Sequence, residues 1–140
     1  MPRRRGEGVN WPEYHEFVDR CIEVLRAANL GDRLIIQCFD TRALNYIHEK
    51  YPEFILAYLV DRNTDPFESY MGKLNFKPQW LSPHFSIVDE ALVARCRKEG
   101  IRLVPWTPDK QEDLQRMVDL GVEAIITNCP DRLLKITRGY

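Results

Sequence analysis

Between Ile101 and Leu134 the chain reads IRLVPWTPDKQEDLQRMVDLGVEAIITNCPDRLL, and no other stretch constrains the fold as much. A short apolar run ends in Trp106-Thr107, and an amphipathic segment follows from Lys110 to Leu120. Gly121 breaks it, and a second apolar run, Glu123 to Thr127, ends in Asn128-Cys129-Pro130-Asp131. Apolar strands buried on both faces and joined by a helix are the unit of a parallel sheet. Polar and aromatic residues gather where each strand ends, the side on which β/α barrel enzymes carry their active sites.

The same alternation runs back through the chain. Asn10 and Pro12 mark a helix start, and Phe17, Val18, Cys21, Ile22, Leu25 and Ala28 recur at helical spacing until Asn29-Leu30-Gly31 ends the segment. Leu34 to Phe39 reads as a strand, with Asp40 or Thr41 capping a helix that runs to Lys50 before Pro52. Phe54 to Val60 is the next strand, followed by a short helix from Pro66 to Leu74 with Asp65 as its cap. Gln79 to Pro83 is a strand of poor composition; Ile87 to Lys98 is a helix stopped by Gly100. Ile101 to Trp106, Lys110 to Leu120, Glu123 to Thr127 and Asp131 to Ile136 complete the series.

Strand starts therefore lie a little over twenty residues apart, the footprint of one β/α unit. Right-handed connections place such strands side by side in sequential order, which suits a barrel sector better than a doubly wound sheet. A closed barrel needs eight strands and roughly 250 residues. The expectation is an α/β fold of about five parallel strands in 140 residues, part of a (β/α)8 barrel.

Composition narrows the function classes. With 44% apolar residues and 20 basic against 21 acidic side chains, the chain can bury a core and carries no overall nucleic-acid or membrane footprint. Arg3-Arg4-Arg5 is basic, but the following polar stretch supplies no signal-peptide core, so the chain as written is expected in the cytoplasm. Residues 1–9 read as a flexible basic tail and 10–140 as the folded portion. Cys21, Cys38, Cys96 and Cys129 have no C-x-x-C spacing and read as small core residues.

Several segments in order resemble one family. Leu34 to Phe39 with Asp40 is similar to a strand ending in Ser-Phe, with Cys38 in place of the serine. Lys50-Tyr51-Pro52 with Phe54 to Val60, and Ser82-Pro83-His84, fall where the next two strands of that family fall. Gly100 to Thr107 resembles its G-x-x-V-x-x-W-T segment. Gly121 to Pro130 resembles its closing G-V-D-x-I-x-T-D-x-P signature, with Glu123 and Asn128 replacing aspartates. The family is that of the glycerophosphodiester phosphodiesterases, and the resemblance runs from about Leu34 to Arg132.

The resemblance implies a barrel of the phosphodiesterase type and metal-dependent hydrolysis of glycerophosphodiesters to an alcohol and glycerol 3-phosphate. It implies two histidines as acid and base and a divalent cation, Mg²⁺ or Ca²⁺, held by Glu and Asp side chains. The family carries these groups in H-R-G, E-x-D, H-D and E-x-K motifs, none of which occurs here; Arg4 stands where the histidine of H-R-G would be. On that reading the chain begins after the family's third strand, holds no catalytic or metal-ligating set, and is inactive alone.

Trp106 matches the tryptophan that lines the family's pocket beside the glycerol moiety, and Phe39 and His84 are the other substrate-binding candidates. Trp106 and Phe39 also suit packing at the barrel top, and His84 suits a rim histidine bonded to a neighbouring carbonyl. Asp40, Asp61, Asp109 and Asp131 sit where helix caps or first-turn acids belong; His15 and His48 lie on polar helix faces. An incomplete sector leaves two sheet edges open, and each exposed Val or Leu forfeits ~1.5–3 kcal/mol of burial. The edges call for an N-terminal barrel fragment or self-association. Two alternatives stand beside the truncated enzyme: a non-catalytic subunit or scaffold completing a barrel with a partner chain, and an independent small-molecule-binding α/β domain with its site around His84 and the rim aspartates.

Overall fold

A computed structural model describes residues 12–62 and 65–139. The basic tail expected at 1–9 and the helix start assigned to Asn10 lie outside the described residues. Helix α1 spans Tyr14–Ala27 and is capped by Glu13, whose carboxylate accepts from the His15 N–H at 3.1 Å. Strands and helices then alternate: β1 (Ile35–Cys38), α2 (Thr41–Lys50), β2 (Ile55–Val60), α3 (Phe67–Met71), β3 (Trp80–Pro83), α4 (Glu90–Glu99), β4 (Arg102–Leu103), α5 (Gln111–Leu120) and α6 (Pro130–Arg138).

The four strands form one parallel sheet in the order β1-β2-β3-β4, the sequential order that alternation alone implies. Register defines two rows across it. Cys38, Tyr58, Leu81 and Leu103 stand side by side and face the helices, where they meet Leu44, Ile47, Val88, Val93 and Met117 in one core. The neighbouring row, Gln37, Ala57, Trp80 and Arg102, points to the opposite face by strand alternation. In a barrel that face is the interior.

Helix starts follow local chemistry. Asp40 caps α2 through the Arg42 N–H at 3.0 Å and pairs with the Arg42 guanidinium at 2.8 Å. Asp89 caps α4 by accepting from the Leu92 N–H at 2.8 Å. That cap explains why α4 begins at Glu90 rather than Ile87: residues Phe85–Ile87 form a separate 3-10 turn. The short helix α3 starts after Pro66, without a side-chain cap, so Asp65 does not take the role expected of it.

The expected fifth strand is the main correction. Glu123 to Thr127 lies beside β4 but joins it through Ala124 N–H to the Leu103 carbonyl at 3.2 Å, Ile126 N–H to the Pro105 carbonyl at 2.9 Å, and a single Trp106–Ile126 bridge. The strand expected at Ile101 to Trp106 likewise shortens to two residues. Two features break the ladder: Pro105 has no N–H to give, and the Leu103 N–H goes to the Glu123 carboxylate at 2.7 Å instead of a backbone carbonyl.

Side-chain expectations fare unevenly. Cys96 is buried in the core and half-buried Cys38 packs against it, but Cys21 is exposed and Cys129 half-buried outside it, so a core role holds for two cysteines of four. His48 is exposed and stacks on Phe76 at 4.1 Å. His15 is not simply solvated: it pairs with Glu13 and packs edge-on against Tyr46.

Candidate functional site

The C-terminal ends of β1, β3 and β4 bring three side chains together. Phe39 follows β1, and its ring meets Trp106 edge to face with centroids 5.8 Å apart. His84 follows β3 and also meets Trp106, again perpendicular, with centroids 4.9 Å apart. All three of the substrate-binding candidates chosen from sequence thus form one aromatic row across the sheet's end.

Backbone pairing sets their positions. The His84 N–H donates to the Val60 carbonyl at 2.8 Å, the Trp106 N–H to Pro83 at 3.0 Å, and the Phe85 N–H to Trp106 at 2.8 Å. Beneath them Ser82 is fully buried; its hydroxyl donates to the Val104 carbonyl at 2.8 Å, and its own carbonyl accepts from the Trp106 indole N–H at 3.0 Å. The Trp106–Thr107 peptide bond is cis. Phe39, at the open side of the row, is 51% exposed.

His84 is 7% exposed, and its partner is Ser86 rather than a carbonyl. Nδ1 lies 2.7 Å from the Ser86 hydroxyl and 3.2 Å from the Ser86 N–H, and Nε2 lies 3.4 Å from Arg62 Nε. Nδ1 accepts from the Ser86 N–H and Nε2 faces the Arg62 Nε–H, so both ring nitrogens already have partners within the chain. Burial, and then the Arg62 charge, push the imidazole pKa below its ordinary value, with Asp61 opposing. A neutral ring at neutral pH follows.

Arg116 completes the support. From α5 its two terminal nitrogens donate to the carbonyls of Val88 and Phe85 at 2.7 and 2.9 Å, fixing the turn that carries His84. Sequence reading missed this role, because an arginine on a helix's polar face gives no sign of a partner twenty-eight residues away.

The rim aspartates do not converge. Asp40 is held by Arg42, and Asp61 accepts from the Arg62 N–H at 2.7 Å. Asp109 was expected to cap α5, but Lys110 occupies that position. The Asp109 carboxylate accepts instead from the Thr127 hydroxyl and the Asn128 N–H, both at 2.8 Å, and from the Asn128 side-chain amide at 2.9 Å. These bonds hold its carboxyl below the usual range, the Asn128 amide contributing most. A hard divalent cation needs several converging oxygen ligands, and among the described residues no group of three His, Cys, Asp or Glu side chains forms such a set. The residues present do not fit the divalent cation that the family resemblance implies.

Comparison with known proteins gives a consistent result. Residues 8–132 match the model of the glycerophosphoryl diester phosphodiesterase family, so the match reaches back through α1, beyond the Leu34 expected. The chain is 31% identical over 126 residues to a glycerophosphodiester phosphodiesterase of Caldanaerobacter subterraneus subsp. tengcongensis, covering 89% of this chain and 51% of that protein. To a Bacillus subtilis glycerophosphodiester phosphodiesterase it is 24% identical over 110 residues, covering 77% and 38%. Among solved structures, a glycerophosphodiester phosphodiesterase from Parabacteroides distasonis superposes with a TM-score of 0.73 at 22% identity, covering 88% of this chain and 50% of that one. An Oleispira antarctica phosphodiesterase, solved with its product sn-glycerol-3-phosphate, gives 0.70 at 18% identity, covering 88% and 49%. The chain spans about half the length of these relatives, or less.

Proposed function

The chain belongs to the glycerophosphoryl diester phosphodiesterase family, and from that premise we propose that it forms the aromatic wall of a glycerophosphodiester pocket and hydrolyses nothing alone. The observation that carries this is the row Phe39–Trp106–His84 at the C-terminal strand ends, where barrels of this kind hold their substrates. Trp106 offers a flat apolar face for the carbon skeleton of the glycerol. Phe39 extends that face, and the buried ring of His84 packs edge-on against Trp106.

Cleaving a phosphodiester in line requires a cation or cationic cluster for the developing charge, and a base and an acid within hydrogen-bond reach. In the family a divalent cation supplies the charge. Here the carboxylates of Asp40, Asp61 and Asp109 are each held by neighbouring donors, and His84 is the one histidine in the row. The incompetence proposed for the isolated chain rests on that chemistry.

Assay of glycerophosphocholine hydrolysis by the purified chain, with Mg²⁺ and with Ca²⁺, is expected to give no turnover above buffer. Robust metal-dependent release of choline would overturn the proposal. Binding of sn-glycerol 3-phosphate, read from tryptophan fluorescence, is expected for the parent and lost in Trp106→Ala.

A second reading, a subunit that completes a barrel with another chain, is favoured by one observation. The outer edge of β1 opens onto an apolar groove lined by Phe17, Cys21, Val24, Ile36 and Cys38, and Phe17 and Val24 are 56% and 70% exposed. An N-terminal barrel fragment presenting a parallel strand fits that edge. Mass measurement in solution separates the readings: a monodisperse monomer at high concentration counts against it.

A further inference from the structure

Trp106 sits in a loop tied on both sides to the segment that follows α5. Before it, the Pro105 carbonyl accepts from the Ile126 N–H at 2.9 Å. After it, Asp109 closes the span: its carboxylate takes the Thr127 hydroxyl, the Asn128 N–H and the Asn128 amide, and its carbonyl takes Arg132 Nη1 at 2.8 Å. The Thr127 hydroxyl then accepts from the Cys129 N–H at 3.0 Å, so the same set of bonds runs on into the start of α6.

The contact between Asp109 and Asn128 pairs an acceptor-only carboxylate with an amide that can donate. Such a pair works in either order. Two carboxylates at this distance repel, and neither can donate to the other. An aspartate at 128 is therefore compatible with this geometry only if 109 gives up its charge.

We propose that Asp109 is a positioning residue: paired with Asn128 as acid with amide, it fixes the loop that presents Trp106 to the ligand. This rests on the reading of Trp106 as a pocket wall. The carboxylate itself touches no ligand; it acts through the indole.

The experiment follows the indole N–H resonance of Trp106 in the isotope-labelled chain, assigned with Trp106→Phe, and affinity for sn-glycerol 3-phosphate. Asn128→Asp is expected to shift and broaden that resonance and to weaken affinity on the order of tenfold, as small misplacements of positioning groups do. The double exchange Asp109→Asn with Asn128→Asp restores acid against amide and is expected to return both readouts to the parent's. Asp19→Asn, which removes a carboxylate on α1 bonded to Tyr46 and Tyr51, controls for lost stability and is expected to leave the resonance in place. Should Asn128→Asp not fold, Asn128→Ala removes the amide donor alone and is read in the same way. An unmoved resonance in the single variants, or a double exchange no better than Asn128→Asp, overturns the proposal. Absence of sn-glycerol 3-phosphate binding by the parent overturns the pocket reading instead, and the resonance still decides whether Asp109 fixes the Trp106 loop.

Discussion

The indole N–H of Trp106 donates to the Ser82 carbonyl at 3.0 Å, across the pairing of β3 with the segment after β4. The side chain at the sheet's end is thus hydrogen-bonded to the strand that also carries His84. Trp106→Phe keeps an aromatic ring but removes the indole donor from that carbonyl. A loss of about 1–2 kcal/mol is expected, read as a lower urea midpoint at unchanged slope.

Glu123 is expected to matter more than its exposed position suggests. Its carboxylate accepts the Leu103 N–H at 2.7 Å, and Leu103 is buried. Glu123→Ala strands that donor and is expected to cost about 1–3 kcal/mol. Hydrogen exchange of the Leu103 amide provides a local check, since faster exchange there should accompany the drop in stability.

Asp19 is expected to contribute an acid limb to the pH dependence of stability. The Tyr51 hydroxyl at 2.5 Å, then Lys50 and Tyr46, hold its carboxyl below the usual range. A depressed folded-state value makes its contribution complete above the ordinary aspartate pKa of ~3.9 and lost as pH falls below that through the folded value. Urea midpoints of Asp19→Asn are expected to vary less than the parent's across this acid range. Equal acid sensitivity in the two proteins would refute the assignment.

Two apolar substitutions should separate the core from the open groove. Leu81 is fully buried, and Leu81→Ala is expected to cost about 2–5 kcal/mol. Phe17→Ser, on the exposed side of α1, should change stability by no more than about 0.5 kcal/mol while lowering self-association, measured by sedimentation. A large stability loss for Phe17→Ser would mean that the groove is already filled.

Much of this molecule was legible in the sequence, for identifiable reasons. Ile55–Val60 is an uninterrupted apolar run and Ile35–Cys38 one broken only by Gln37, both bounded by polar or Pro signals, so pattern alone located them. Phe39, His84 and Trp106 were found because strand ends in a parallel series must share one rim. Legibility failed where a side chain took over a backbone task. Glu123 receives the N–H that a fifth ladder would have bonded, and Asp109, which local spacing marks as a cap, is drawn away to Thr127 and Asn128. Arg116 belongs with them: its partners Phe85 and Val88 are close only after folding. Propensity and periodicity register what a residue does for its own helix or strand, and these three residues serve a different one.

The edge of β1 that no described strand pairs with also bears on how much folded protein a cell would hold. A strand that covers Phe17, Val24 and the β1 backbone would bind the folded chain and not the unfolded one. Mass action then raises apparent stability with the concentration of that strand. The steady-state abundance of this chain should accordingly track the supply of its complement, and in its absence a larger unfolded fraction would be open to proteolysis.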